Sequence, residues 1–148
     1  MPVFRINEGE AELPEGWEDR TLNVLAFPRG AKKPVANVTI SRQLLDAETR
    51  LGPYIDQQLK ELAKTCPRFS LLNREETTLD GEPGEHVVFT WRAQDGVILR
   101  QEQTVLLLDA GVVLVITATA PKDKFESYAE PFRSFVGSFR LRKELAAD

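Results

Sequence analysis

Few side chains in this chain are of the types that carry out chemistry, and none stands in a constellation that would. His86 is the only histidine, so a hydrolytic triad or a histidine-rich zinc site would depend on a single ring at the start of a strand. A structural or surface imidazole is the better reading. Cys66, the only cysteine, precedes Pro67 at the end of an amphipathic stretch, where the negative end of a helix dipole disfavours the thiolate. It reads as a small packed residue, and a lone cysteine leaves no internal disulfide. The densest carboxylates, Glu75, Glu76, Asp80, Glu82 and Glu85, lack the ligand spacing of a calcium loop and read as a solvated edge. Gly81-Glu-Pro-Gly84 has neither the lysine nor the following helix of a phosphate-cradling loop. No catalytic residue, metal or cofactor is expected, and the scarcity points to a protein that binds.

The elements that would present a binding surface are easier to read. From His86 to Thr119 the chain holds apolar, β-branched runs, His86–Arg92, Val97–Leu108 and Val112–Thr119. The turns Ala93-Gln-Asp-Gly96 and Asp109-Ala-Gly111 separate them, so they read as an antiparallel meander. Alternation sets Val87, Phe89 and Trp91 against Val88 and Thr90, and Val112, Leu114 and Ile116 against Val113, Val115 and Thr117. A last strand apolar on both sides belongs inside, with helices over one face and a second cover, or a bound partner, over the other.

Before the meander, Val3–Ile6 and Ala11–Leu13 read as a small hairpin, and Thr21–Phe27 and Ala36–Ser41 as paired strands of the main sheet, joined by the Pro28–Pro34 loop. In Thr21–Phe27 apolar side chains again fall on both faces. A helix is expected from Pro53, with Leu51, Ile55, Leu59, Leu62, Ala63 and Cys66 as its apolar stripe, stopping at Pro67. Phe69–Thr77 reads as a strand and Leu79–Glu85 as a turn-rich loop. Beyond Pro121, the spacing of Phe125, Tyr128, Phe132, Phe135, Val136 and Phe139 predicts a second amphipathic helix, interrupted at Pro131 and ended near Gly137. Phe139–Leu141 reads as a closing short strand and Lys143–Asp148 as a frayed tail.

Composition narrows the class. A chain of 148 residues is most simply one domain spanning 1–148, around one core. Net charge is −4 and the basic residues are scattered, which leaves no footprint for nucleic acid. Met1-Pro-Val-Phe-Arg-Ile6 lacks the order of a secretory signal, and the apolar runs fall short of the roughly 20 residues needed to span a bilayer. A cytoplasmic protein without stable membrane insertion is expected.

The order Phe4-Arg5, Leu13-Pro-Glu-Gly-Trp17, Asn23-Val24, Ile40-Ser-Arg42, Tyr54-Ile-Asp-Gln-Gln-Leu59 and Pro67-Arg-Phe69 resembles the DcrB-like family of small proteins with the Mog1/PsbP-type fold. Within that family the likeness is greatest to the Eag chaperones, cytoplasmic partners of type VI secretion effectors, often Rhs proteins, whose N-terminal transmembrane helices they shield before export. The resemblance implies an α+β fold, a single antiparallel β-sheet packed with amphipathic helices, and an apolar groove on one sheet face. On the matching positions that groove would use Leu22, Val24 and Thr39 from the strands and Leu62 and Cys66 from the helix. Thr39 is more polar, and Cys66 smaller, than such a groove suggests; Leu22 and Val24 fit it best, and the alternative for all five is ordinary core, which Leu62 and Cys66, on the main apolar stripe of the helix, fit equally well.

A membrane span is roughly 30 Å long, whereas strands of five or six residues reach only about 17–20 Å. One protomer is too short to cover it, and a homodimer, the commonest closed assembly, is expected. Two other classes stay open: a closed pocket for a small apolar ligand or substrate, with His86, Trp91 and Arg100 as its few polar candidates, and a generic module that binds a folded partner through a polar surface.

Overall fold

In the computed structural model residues 2–33, 35–46 and 48–142 are described; the expected tail at Lys143–Asp148 and the Pro34 end of the first long loop lie outside them. In chain order the elements are β1 (Val3–Ile6), β2 (Gly9–Glu12), β3 (Leu22–Phe27), β4 (Ala36–Leu44), α1 (Leu51–Thr65), β5 (Ser70–Leu79), β6 (Glu82–Arg92), β7 (Ile98–Leu108), β8 (Val112–Pro121) and α2 (Phe125–Gly137). β1 and β2 form a separate hairpin, and the other six strands make one antiparallel sheet in the order β3-β4-β8-β7-β6-β5. The α+β architecture expected from the pattern is the one observed. The meander lies in the sheet as β6-β7-β8, and the earlier hairpin joins it through β4, with Ile40 opposite Ile116.

Because alternate residues face opposite ways, the central strands feed two cores. On one face Val38, Ile40, Leu106, Leu114, Ile116 and Ala118 pack with Phe125, Ala129 and Phe132 of α2. Phe27 joins them from β3, its ring 5.3 Å from Phe132 and 5.1 Å from Tyr128. On the other face Val87, Phe89, Val105 and Val113 pack with Ile55 of α1. The double-sided strand Val112–Pro121 is thus covered by a helix on each side, and each large side chain fully buried there contributes about 1.5–3 kcal/mol.

α1 begins at Leu51, two residues ahead of Pro53. Pro53 still lies in the first turn, whose N–H groups have no partner inside the helix. The helix ends at Thr65, with Cys66 already extended and Pro67 behind it.

Three expectations change. Most of the loop expected at Leu79–Glu85 is strand, because Asp80 and Gly81 alone make the turn, both at positive φ (48° and 81°), the geometry of a two-residue hairpin. Pro83 is tolerated at the start of β6 because β7 joins only from Gly84; Pro83 faces Thr78 of β5 and nothing on its other side. Pro131 does not interrupt α2. It sits on the exposed side, where water can take up the carbonyl it frees, while Ala129 and Phe132 hold the buried side. Phe139–Leu141 is not a strand: Phe139 and Leu141 pack against the α2 core, and the Leu141 N–H donates to Asp80 Oδ2 at 2.8 Å.

Candidate functional site

α1 lies over the β6, β7 and β8 part of its face and stops short of the β3 edge. Following that face outward by register, Val105 and Gln103 of β7 stand opposite Val115 and Thr117 of β8, these opposite Ser41 and Thr39 of β4, and these opposite Leu22 and Val24 of β3. The row starts under the helix and ends in the open: Leu22 and Val24 each keep 55% of their surface exposed. A cleft of about 900 Å³ results. Tyr54, Ile55, Gln58, Leu59 and Leu62 form its helical wall, at the i, i+4 spacing that places residues on one helix face, and Val3, Phe4 and Leu13 of the N-terminal hairpin meet it as well.

The cleft combines apolar walls with uncharged hydrogen-bonding groups. Ser41, Gln43, Gln58, Gln103 and Thr117 line it, and the Tyr54 hydroxyl donates to Gln43 Oε1 at 3.0 Å. Burial pushes the Tyr54 phenol above its ordinary value, so it stays neutral. The ionisable residues along the cleft, Glu18, Asp19, Arg20 and Arg42, are all exposed. A cleft built this way suits an elongated apolar object that carries a few polar groups of its own.

Of the five residues expected to form a groove, Leu22, Val24 and Thr39 share one sheet face, Val24 directly opposite Thr39. Leu62 faces them from α1, packing against the core and lining the cleft at once. Only Leu22 and Leu62 of the five line the cleft itself; Val24 and Thr39 continue its sheet face beyond the lining, and Cys66 stands apart as the C-cap of α1, its N–H bonded to the Leu62 carbonyl at 2.8 Å. Sequence reasoning passed over Tyr54, Gln58, Gln103 and Thr117. The polar residues within two-faced strands were the available signal: Gln103 lies in the polar stretch Arg100–Thr104 of β7, and Thr117, opposite it, breaks the apolar run of β8.

His86 lies on the opposite, α2-bearing face, in register with Thr104 and Ile116. Its Nε2 is 3.5 Å from Glu102 Oε1 and its Nδ1 3.8 Å from Glu75 Oε1. Glu102 is only 9% exposed and is also held by Arg100 Nη2 at 3.0 Å, with Arg133 Nη2 at 3.9 Å. Burial alone would raise the Glu102 carboxyl, but hydrogen bonds from His86 and Arg100 outweigh it and hold the group below the usual glutamate range. Among the described residues no group of three or more His, Cys, Asp and Glu side chains could hold a metal ion. No described helix is long and apolar enough to cross a membrane.

The backbone is shared with solved proteins of low sequence identity. A Pseudomonas aeruginosa protein of unknown function, PA94, superposes with a TM-score of 0.81 at 22% identity, over 96% of this chain and 97% of its own. The cyanobacterial PsbP of Synechocystis sp. PCC 6803 gives 0.55 at 11% identity, over 95% and 92%. LpqN of Mycobacterium tuberculosis, involved in cell envelope biogenesis, gives 0.57 at 13% identity, over 84% and 85%. In sequence, the chain is 24% identical over 123 residues to the Pseudomonas aeruginosa PAO1 protein named effector EagT6, covering 83% of this chain and 85% of that one. Residues 8–138 match the DcrB family, and the chain belongs to that family.

Proposed function

We propose that this protein is a chaperone that holds the N-terminal transmembrane helices of a type VI secretion effector, an Rhs-type protein among the candidates, in the cleft between α1 and β3–β4 until export. The observation that carries this reading is the placement of Leu22 and Val24, two residues apart on one strand face, half exposed beside a helix that leaves them uncovered. An apolar helix laid there would bury its side chains against Leu22, Val24, Leu59 and Leu62, each CH₂ contributing about 0.8 kcal/mol. Ser41, Gln58, Gln103 and Thr117 would meet the polar atoms that such helices carry. The sequence likeness to EagT6 supports the same reading, and so does the resemblance to the Eag chaperones. Binding of this kind precedes export, so it places the protein in the cytoplasm.

The protein is not an enzyme. It belongs to the DcrB family and is similar in sequence to EagT6, and its sole histidine and sole cysteine are on opposite sides of the sheet. A small apolar ligand is the second reading, favoured by a cleft volume within the range of ligand pockets; the openness of the β3 side favours the helix.

Co-expression tests the proposal, using the apolar N-terminal segment encoded by an adjacent effector gene, fused to a soluble reporter. The segment should stay in the soluble fraction and co-purify with the chain. Equal aggregation with and without the chain overturns the reading, and a small molecule retained through purification in native mass spectra, without segment binding, replaces it with the second.

A further inference from the structure

We propose that one end of the sheet, the end that carries the β3–β4, α1–β5, β6–β7 and β8–α2 connections, is a docking surface for an anionic lipid membrane. Cations spread through the sequence are gathered there by the antiparallel order β3-β4-β8-β7-β6-β5, which brings these four connections into one row. Arg29, Lys32 and Lys33 lie in the β3–β4 loop, Lys122 and Lys124 lead into α2, Arg92 closes β6 and Arg68 stands before β5. All seven are exposed, and among the described residues none of them forms a salt bridge. Asp95 and Asp123 are the carboxylates of these connections, and at the helix ends Lys64 and Glu126 offset each other. Two backbone contacts fix the row: the Arg92 N–H donates to the Pro67 carbonyl at 2.8 Å, beside Arg68, and the Lys122 N–H to the Ile98 carbonyl at 2.8 Å. Like charges are thus held in neighbouring connections with little counter-charge from the chain, a repulsion that an outside anionic surface relieves.

Extent and composition select a membrane as the occupant. Six strands about 4.8 Å apart spread the row over about 24 Å, and none of its seven cations lines the α1 cleft. An acidic peptide would meet only a few of them at a time, and its recognition calls for guanidinium forks in a groove. This row instead sets lysines and arginines on the tips of separate connections, which a continuous anionic plane meets together. Val97, 38% exposed in the β6–β7 loop, adds an apolar side chain at the same end for the headgroup layer. The net charge of −4 does not oppose this docking, because acidic residues crowd the opposite end. There Glu15, Glu18 and Asp19 precede β3 and the turns hold Asp46, Glu48, Asp80 and Asp109, against Arg20, Arg50, Arg140 and Arg142. An 11-residue strand sets the two ends about 36 Å apart, several times the screening length of about 8 Å at physiological salt. The docking does not depend on what fills the α1 cleft.

Vesicle co-sedimentation of the purified chain tests the proposal, with phosphatidylcholine vesicles that hold about 30% phosphatidylglycerol beside vesicles of phosphatidylcholine alone. The chain should sediment with the anionic vesicles only and be released from them by about 0.5 M NaCl. Lys32→Glu with Lys33→Glu should weaken binding about tenfold or more. Arg140→Glu with Arg142→Glu makes the same change in net charge at the opposite end and should leave binding as in the wild type. Melting curves check that both variants fold, and Lys122→Gln with Lys124→Gln repeats the loss of binding without introducing a negative charge. Absence of binding to the anionic vesicles, equal binding to the neutral ones, or equal losses in the two charge-reversed variants each overturns the proposal. Capture of soluble polyglutamate without any vesicle binding also overturns it, and makes this end a surface for an acidic protein.

Discussion

Arg74 Nε lies 2.6 Å from Glu85 Oε1 across the β5–β6 pair, on the face that carries α1. The same guanidinium reaches Asp56 Oδ1 of α1 at 2.5 Å and the Gly52 carbonyl at 3.1 Å. One side chain therefore ties the first turns of α1 to the sheet. The two carboxylates raise the affinity of Arg74 for its proton, so it is charged at every accessible pH.

Arg74→Ala should cost about 1–3 kcal/mol in urea denaturation, since it leaves Glu85, 15% exposed, without its cation. Arg74→Lys should recover only part of this, because an ammonium cannot fork between Glu85 and Asp56. If α1 is one wall of the binding cleft, the alanine variant should also bind an apolar segment more weakly while its sheet stays intact by circular dichroism.

Glu102 predicts a pH dependence. Its folded-state carboxyl is held below the ordinary range, so the unfolded chain takes up its proton first as the pH falls. The stabilisation is complete above the unfolded-state value and is lost as the pH drops through the lowered folded-state value. Glu102→Gln should flatten this acid limb in denaturation curves across the acidic range. Arg100→Ala should bring loss of stability at higher pH than in the wild type, because burial then acts on the carboxyl with less opposition.

Gly84 predicts a steric limit. A Cβ on this buried residue would meet the Val105 carbonyl oxygen at 2.5 Å and the Leu106 side chain closer still, and a backbone oxygen in a ladder cannot turn aside. Gly84→Ala should destabilise the protein by about 1–3 kcal/mol, whereas Gly9→Ala, with open space at its Cβ, should change thermal unfolding little.

The same glycine shows where the sequence was legible and where it was not. Val112–Pro121 announced its place through period-two alternation, which depends only on neighbours along the chain, and both helices followed from a stripe that local spacing encodes. Pro83 and Gly84 are local breakers, and they hid the start of β6. What admits them is non-local: β7 begins to pair only at Gly84, and its backbone there runs so close that only glycine fits. The cleft was half legible for a similar reason. Leu22, Val24 and Leu62 stand out as apolar residues in two-faced elements. The facing of Thr117 and Gln103 across β8 and β7, and the arrival of Phe4 and Leu13 beside them, arise from register and from a hairpin tens of residues away.

The sharpest prediction concerns Leu22 and Val24, whose half exposure separates folding from binding. A charge at a position already in water costs the fold little, so Leu22→Asp and Val24→Asp should each change stability by no more than about 0.5 kcal/mol. An apolar helix seated on them would have to desolvate the new carboxylate, and its affinity should fall by about 2 kcal/mol or more. Cys66→Ala, at a helix cap outside the cleft lining, should leave that affinity unchanged. The measurement pairs melting curves of each variant with co-purification of the apolar segment. A well-folded Leu22→Asp, Val24→Asp double variant that still retains the segment would place the binding surface elsewhere. Collapse of the melting transition in either single variant would mean that the strand face is buried in solution and belongs to the core.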